Sequence, residues 1–300
     1  MDKLRGIHTF IEIAERGSLT AAANALDTSL PTVVRRLAEL EATLGVRLFN
    51  RTTRRIHLTD EGQRYLAICK TAIGQLEDAE EALFDAKAKP TGKLVITAPV
   101  LFGRLHVAPL VMQFMRDHPG VRAEMLLLDR NIDLIEEGVD VAVRIGHLSD
   151  SALHAVPAGA LRRVVCASPE YLKQHGTPRH PADLAGHPGI RFTGRGVLSE
   201  WQFRDSGRML SVRINPRLTT NSVETAVDAC RNGVAIGAFL SYQVQAPVAA
   251  GELKPILRKF ETPEVPVHLL FPHAKLMSAR VRAFIDYAAP KLRAKNFMKM

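Results

Sequence analysis

Cysteine is scarce in this chain of 300 residues, which contains only Cys69, Cys166 and Cys230. An odd number of widely spaced cysteines, with no CxxC pair and no cysteine and histidine at zinc-like spacing, argues against a disulfide framework and a zinc centre. We therefore expect reduced and mostly buried thiols. The sequence leaves open whether Cys166 and Cys230 meet in the fold and have a redox role.

Long apolar runs are also missing. No run approaches the roughly 18 residues that a membrane-spanning helix needs. The N-terminus does not resemble a signal peptide, because Asp2, Lys3 and Arg5 lead straight into an amphipathic helix. We therefore expect a cytoplasmic protein without a membrane partner. Hydrophobic residues make up 46% of the chain, which is enough for two or three domains with cores of their own.

Motifs of catalysis and cofactor binding are absent as well. The chain has no nucleophile elbow, Gly-rich phosphate loop, HExxH motif or pair of acids on one helix face. His175, His180 and His187 lie in a proline-rich loop, but metal sites usually have more closely spaced pairs. We predict neither an enzyme nor a cofactor or metal site.

Acidic and basic residues balance in the first part of the chain. The net charge of +9 invites a nucleic-acid partner, but residues 1–89 contain 13 Lys plus Arg and 13 Asp plus Glu, so the whole excess lies in residues 90–300. Only local charge supports DNA binding. The stretch from Arg35 to Arg64 holds seven arginines, whereas acids cluster between Glu77 and Asp85.

Residues 27–59 contain a capped helix, a glycine stop and a basic hairpin. Ser29 can cap the helix, Pro31 in its first turn loses no helical hydrogen bond, and Gly45 ends it. Residues at helical spacing predict one buried face, formed by Val33, Leu37, Leu40 and Leu44. The opposite face offers small residues and Arg35, which suits entry into a DNA major groove. Alone, this pattern fits an ordinary amphipathic surface helix equally well.

The neighbouring residues favour DNA binding. Helical spacing predicts a first helix that Gly17 ends and a short second helix that Ser18 caps. Asp27 to Ser29 then turn the chain into the helix just described, which makes a helix-turn-helix. Two short strands follow, and their connecting turn carries the arginines Arg51, Arg54 and Arg55. We expect this wing to place arginines along phosphates beside the groove.

These residues resemble a known family. The run from Leu26 to Glu41 and the following LGVRLFNRTTRRIHLTDEG are similar to the DNA-binding domain of LysR-type transcriptional regulators, and the likeness extends over the whole chain. The resemblance implies contacts with double-stranded DNA by Pro31, Thr32, Val34, Arg35, Arg36, Arg51, Thr52, Thr53 and Arg54. Leu30 and Val34 stand where the family often has Gln and Ser, so base preference or phosphate contacts can differ. An apolar Val34 can instead meet a thymine methyl.

A long helix is predicted between a threonine cap and Pro90. Its small and apolar residues step alternately by four and three, a heptad seam formed by Tyr65, Cys69, Ala72, Leu76, Ala79, Leu83 and Ala86. A narrow stripe on a long helix has no core to join, so pairing with a second copy would bury it. Packing against its own domain is the alternative. We predict a homodimer, which also suits two DNA half-sites.

The C-terminal part alternates strands and helices, which predicts α/β lobes with largely parallel sheets. A helix is predicted over 132–137. Together with the resemblance, the pattern gives an α/β multidomain architecture with a two-lobed effector domain similar to periplasmic solute-binding proteins. The predicted parts are the winged helix-turn-helix domain (1–59), the linker and dimerisation helix (60–89) and the effector domain (90–300), with lobe I over about 93–161 and 266–294 and lobe II over about 162–265.

Two turns, 97–100 and 220–223, are candidate effector contacts. Ligands of open α/β sheets collect beyond the carboxyl ends of strands, at helix N-termini, where amides suit a carboxylate. The predicted contacts are Thr97, Pro99, Val100, Asn221, Ser222 and Val223, and the resemblance adds Phe102, Phe192, Thr193 and Phe239 as wall residues. Capping and core packing are the alternative roles. Arg144 and Asp129, at strand ends, form either a ligand clamp or a structural ion pair.

The predicted function is a sequence-specific DNA-binding transcriptional regulator controlled by a small-molecule effector between the lobes. The resemblance implies a homotetramer of paired dimers on an interrupted palindromic operator, and RNA polymerase is a further candidate partner. Two other classes remain open. An enzyme could use the α/β cleft, although no catalytic motif supports it, and a small-molecule binder could use its N-terminal domain for protein contacts only.

Overall fold

The computed structural model describes residues 3–51, 56–84, 89–130, 132–148, 153–193, 200–272, 277–295 and 297, without the side chains of residues 51, 71, 75 and 77–84. The chain divides into two compact units. One comprises Met1–Ala86 with Asp133–Gly138, and the other comprises Lys87–Ile132 with Val139–Met300. Among the described residues, none of the helices combines the length and the apolar character of a membrane span.

The first unit contains a three-helix bundle, a β-hairpin and a long helix. Its elements are α1 (Lys3–Arg16), α2 (Leu19–Ala25), α3 (Leu30–Leu44), β1 (Phe49–Arg51), β2 (Ile56–Leu58) and α4 (Asp60–Phe84). The predicted helix caps and helix ends are confirmed. Gly17 and Gly45 adopt left-handed φ values of 61° and 71°, and Ser18 and Ser29 cap α2 and α3. The bundle core is fully buried and includes Phe10, Ile13, Val33, Leu37 and Leu40.

The second unit begins with lobe I, a five-stranded sheet in the order β4-β3-β5-β14-β6. Its strands are β3 (Gly92–Ala98), β4 (Val121–Leu127), β5 (Val141–Ile145), β6 (His154–Leu161) and β14 (Val265–Phe271). Between β3 and β4 runs one helical segment, α5 (Val100–Phe102), a π-helical turn (Gly103–Val107) and α6 (Ala108–Asp117). Helix α10 (Ala279–Ala294) returns to pack on β6.

Lobe II has a second five-stranded sheet, in the order β11-β8-β12-β7-β13. Its strands are β7 (Arg163–Ala167), β8 (Pro188–Phe192), β11 (Asn215–Thr220), β12 (Ile236–Leu240) and β13 (Lys254–Ile256), and its helices are α7 (Pro169–His175), α8 (Val223–Arg231) and α9 (Ser241–Ala249). A separate antiparallel hairpin, β9 (Glu200–Asp205) and β10 (Arg208–Arg213), covers the face of the sheet opposite α8. One apolar cluster continues from lobe I into lobe II.

The structure corrects two sequence predictions, one about the sheets and one about a helix. Each sheet is mixed rather than largely parallel, with two parallel and two antiparallel pairings. The predicted helix over 132–137 is wrong, because Asp133 Oδ1 accepts hydrogen bonds from the amides of Ile135 and Glu136 at 2.8 and 3.1 Å and so forms a turn.

Candidate DNA-binding and effector sites

Helix α3 buries one face and exposes the other over its N-terminal half. Pro31 and Arg35 are exposed, whereas Thr32, Val34 and Arg36 are half-buried. The Thr32 Oγ1 lies 2.8 Å from the Ser29 hydroxyl, so the cap also orients this side chain. The Arg35 guanidinium is 72% exposed and lies 3.9 Å from the Glu39 carboxylate, a weak surface pair that leaves its donors available to a DNA backbone or base.

A carboxylate fastens the hairpin to the end of α3. Glu41 Oε1 accepts hydrogen bonds from the backbone amides of Leu48 at 2.8 Å and Phe49 at 3.3 Å. Both of these residues are buried, and β1 pairs with β2 so that Phe49 lies opposite Leu58. The wing therefore has a fixed position relative to α3. Sequence patterns did not single out Glu41, which reads as one more charge on a helix flank.

The first turn of α4 supports the hairpin from its other side. The Thr59 Oγ1 accepts the Gly62 amide at 2.9 Å and donates to the Arg47 carbonyl at 2.8 Å, which makes it the predicted cap. A Cβ atom at Gly62 would lie 2.1 Å from the Leu48 carbonyl oxygen, so only glycine allows α4 to approach this closely. Of the predicted wing contacts, only the backbone of Arg51 is described; Thr52, Thr53 and Arg54 lie outside the described residues.

The predicted heptad seam splits along α4. The Tyr65 ring lies 5.5 Å from the Phe10 ring at a tilted angle, and Cys69 is 3% exposed, so Tyr65 and Cys69 pack against the domain's own core. Burial and the hydrogen bond between them raise the pKa of Tyr65 to about 12. Ala72 and Leu76 are exposed. Ile68, which was not part of the predicted seam, is 62% exposed and lies one turn before Ala72 and two turns before Leu76. The side chains of Ala79 and Leu83 and the whole of Ala86 lie outside the described residues.

The lobe I turn already holds a carboxylate. Asp129 Oδ1 accepts the amide of Val100 at 3.1 Å, so Asp129 caps the helical segment that begins there. Thr97 is fully buried, and its hydroxyl donates to the Leu126 carbonyl at 2.7 Å. Pro99 is buried beside it, while Val100 is 37% exposed.

The lobe II turn is more open. Ser222 caps α8 by accepting the Thr225 amide at 3.2 Å, and the Thr220 hydroxyl accepts the Ser222 amide. Asn221 is exposed. Within the described part of the chain, the amides of Val223 and Glu224 have no acceptor. They lie at the positive end of the helix, where an anion is favoured.

Side chains join the lobes beside these turns. Arg104 Nη2, from the π-helical turn of lobe I, lies 3.4 Å from Glu224 Oε1 on α8. An aromatic cluster lies nearby: the Phe102 ring is 5.1 Å from Tyr242 and 5.4 Å from Phe297. His106 contacts all three rings. Burial, with a contribution from Lys295, lowers the pKa of His106 to about 4, which keeps it neutral.

The two segments that cross between the lobes are clamped together. Arg162 Nε and Nη2 each donate to one oxygen of Glu261 at 2.7 Å, a bidentate pair that is largely buried. The Arg162 amide also donates to Ser241 Oγ, and that hydroxyl donates to the Phe297 carbonyl at 2.7 Å. The crossover segments, α9 and the C-terminal end therefore meet at one point.

Comparisons with known proteins agree with this architecture. Residues 4–63 match the family model described as bacterial regulatory helix-turn-helix protein, lysR family. Residues 87–293 match the LysR substrate binding domain. The chain belongs to the LysR family of transcriptional regulators. It is therefore a DNA-binding transcriptional regulator with an effector-binding domain.

Individual LysR-type relatives are similar over nearly their whole length. The regulator PtxR of Pseudomonas aeruginosa is 34% identical over 94% of this chain and 91% of its own. CrgA of Neisseria meningitidis is 33% identical, with 94% and 95% covered. The solved structure of CrgA superimposes with a TM-score of 0.62 at 32% identity, covering 96% of this chain and 98% of that one. The Vibrio cholerae virulence activator AphB gives 0.60 at 26% identity, covering 95% and 98%.

The remaining predicted effector residues are mostly core residues of this LysR domain. Phe102 is fully buried, Phe239 is 4% exposed and Val223 is 7% exposed. Phe192 and Thr193 are half-buried, and the Thr193 amide donates to the Thr220 carbonyl at 2.9 Å. Arg144 is a buried residue of β5. Packing thus accounts for the phenylalanines. In the two turns, Val100 and Asn221 are exposed and Ser222 is half-buried.

Two cysteines that are distant in sequence meet in lobe II. The Cys230 thiol donates to the Cys166 carbonyl oxygen at 3.1 Å. Both side chains are fully buried, and burial raises the pKa of Cys166 and raises that of Cys230 to about 12. Since the thiolate is the reactive form, both thiols are held in their unreactive state.

The three loop histidines have structural partners, and that of His175 is the Tyr171 carbonyl oxygen, 3.1 Å from its Nδ1. His180 Nδ1 accepts a hydrogen bond from the Ala182 amide, and His180 Nε2 lies 3.4 Å from Asp205 Oδ2. His187 is 2.9 Å from the Tyr171 hydroxyl, and burial lowers its pKa. In the described ranges, no three or more His, Cys, Asp or Glu residues are grouped to hold a metal ion.

Proposed function

We propose that this LysR-type regulator reads an interrupted palindromic operator with the exposed N-terminal half of α3. The observation that carries the proposal is the division of α3 into a buried face and a row of accessible residues on a winged scaffold. Pro31, Thr32, Val34 and Arg35 enter the major groove, while Arg36 and the wing residues contact phosphates. Small residues around Arg35 let the helix backbone approach the bases.

A homodimer forms through α4. The exposed row Ile68, Ala72 and Leu76 supports this pairing, because three apolar side chains at i, i+4 and i+8 lie on one helix face without a core. Two dimers assemble into a tetramer, which can hold two half-sites and contact RNA polymerase. Because its target is DNA, the protein acts in the bacterial cytoplasm, and it acts by binding rather than by catalysis.

The effector is a small carboxylate bound between the lobes. The open amides of Val223 and Glu224 at the positive end of α8 support an anionic ligand, with Asn221 and Ser222 beside them. The lobe I turn contributes Val100 and Pro99. The DNA-binding pairs have two arrangements, and the effector shifts the equilibrium between them. The size of the shift is set by the difference between the effector's affinities for the two arrangements.

DNA contact is tested by gel-shift titration with the DNA upstream of the protein's own gene at two salt concentrations. Arg35→Ala should weaken binding by about 1–3 kcal/mol, or roughly five- to 150-fold, if the arginine reads a base. The control Lys70→Ala removes an exposed charge on α4 that pairs with Glu15 at 2.7 Å and should leave the affinity unchanged. Equal affinities for all three proteins would remove α3 as the reading element.

The effector site is tested by a thermal-shift screen of small carboxylates and phenolic acids, since any ligand of the folded cleft raises the unfolding temperature. Val223→Pro deletes one donor at a helix position that tolerates proline. Val223→Ala keeps the donor and loses part of the side chain. A carboxylate response that persists in Val223→Pro would place the anion elsewhere.

A further inference from the structure

Strand β7 carries a cation onto an apolar sheet face. Alternation along the strand puts Val164 and Cys166 on the α8 side and Arg163, Val165 and Ala167 on the other side. The burial clusters agree: Cys166 packs with the residues of α8, and Val165 packs with Phe203 and Val212 of the β9–β10 hairpin. The Arg163 guanidinium therefore lies between the sheet and the hairpin.

A cavity lies at this position. It is lined by Arg163, Val165, Trp201, Gln202, Phe203, Ala238, Ile256, Leu257, Glu261 and Thr262. Its empty volume of about 290 Å³ includes space open to solvent. The enclosed part has room for about one water molecule. The enclosed part can thus take about one oxygen atom of a small ligand, and the rest of the ligand lies in the part that is open to solvent.

The cavity has a positive charge without a balancing negative one. The side chain of Arg163 forms no ion pair or hydrogen bond with any residue that the structure describes. Glu261, which also lines the cavity, gives one oxygen to each of two Arg162 nitrogens. Residues 194–199, which precede Trp201, contain no Asp or Glu. Burial lowers the pKa of Arg163, as expected of a cation that lacks a counter-charge.

We propose that this cavity is a second anion site, separate from the effector cleft, that takes a monocarboxylate of formate or acetate size on Arg163. A guanidinium presents paired donors in a planar fork that matches a carboxylate, and the low dielectric of the apolar walls strengthens the pair. The ligand offsets the cost of holding an unpaired charge next to Val165 and Phe203. Gln202 and Thr262 supply polar groups at the wall.

The only tryptophan of the chain, Trp201, lines the cavity and reports its occupation. Sodium formate and sodium acetate are titrated into the full-length protein, against sodium chloride at the same ionic strength, while tryptophan fluorescence is followed. A saturable change is expected with both carboxylates, with half-saturation at about millimolar concentration for ligands of so few atoms. Chloride should give no saturable change.

Two variants locate the site. Arg163→Met keeps an apolar stem and removes the charge, so the saturable change should disappear. This variant should melt at an equal or higher temperature than the unliganded wild type, because a half-buried cation without a partner has been replaced. Arg204→Met, from an exposed position on β9, is the matched control and should keep the response.

A second readout covers a ligand that leaves the fluorescence unchanged. Acetate should raise the thermal midpoint of the wild type above that in chloride, and this difference should shrink in Arg163→Met. The proposal is overturned if Arg163→Met responds as the wild type does, if chloride saturates equally, or if neither readout distinguishes acetate from chloride.

Discussion

Replacing Glu41 with alanine should loosen the wing. The carboxylate accepts two backbone amides, at 2.8 and 3.3 Å, from Leu48 and Phe49, which are 0% and 2% exposed. Hydrogen bonds to a charged group contribute about 1.5–3 kcal/mol, and buried amides left without an acceptor are costly. We expect Glu41→Ala to lower the local stability of the hairpin by about 2–4 kcal/mol, a large part of the total for a small domain.

Hydrogen exchange of the full-length protein measures this directly, because it reports local opening at single amides. The Leu48 and Phe49 amides should exchange faster by roughly 30- to 700-fold, at one factor of ten per 1.4 kcal/mol. Glu41→Gln keeps one acceptor oxygen, so its exchange rates should fall between those of the wild type and those of Glu41→Ala. Glu39→Ala is the control, because the Glu39 side chain is 44% exposed and makes only a weak ion pair with Arg35, at 3.9 Å. If Glu41→Ala and Glu39→Ala exchanged alike, the anchoring role would be refuted.

Further predictions concern α4, the segments that cross between the lobes, and His106. Gly62→Ala places a Cβ against the Leu48 carbonyl, so it should lower the free energy of unfolding by about 2 kcal/mol and weaken DNA binding in gel shifts. Gly74→Ala has open space around the new Cβ and should stabilise the helix in thermal unfolding. Glu261→Gln removes the charge that pairs with Arg162, so amides of the crossover segments should exchange faster, while Glu264→Gln should not change them. Because the pKa of His106 is lowered from 6.5 to about 4, its contribution leaves stability unaffected above about pH 6.5 and destabilises the fold as the pH falls toward 4. His106→Phe should lose that part of the pH dependence, and identical pH profiles in thermal unfolding would contradict the assignment.

Local signals predicted the DNA-binding domain well. Ser29, Pro31 and Gly45 act within one or two turns of α3, so their effect needs no knowledge of the rest of the chain. The same holds for Ser222 and α8. The turn at Asp133 failed for a local reason as well, since helical periodicity gave no weight to a carboxylate that binds the amides two and three residues later.

Non-local packing accounts for the other differences. Tyr65 and Cys69 fit a heptad, but α4 lies on α1, so Phe10 takes up the start of the seam. Strand β6 carries Pro157 and Gly159, residues that usually exclude a strand, and it is tolerated because it lies at a sheet edge. The Arg162 and Glu261 pair joins residues 99 positions apart, and no sequence pattern links them.

The most direct test of the central claim is a footprint of the full-length protein on the DNA upstream of its own gene. We expect two protected half-sites, separated by about one helical turn or a multiple of it, as a paired winged helix-turn-helix requires. Arg35→Ala should lose both protections together, and Lys70→Ala should keep them. A single protected half-site, uniform protection along the fragment, or protection that survives Arg35→Ala would contradict the account.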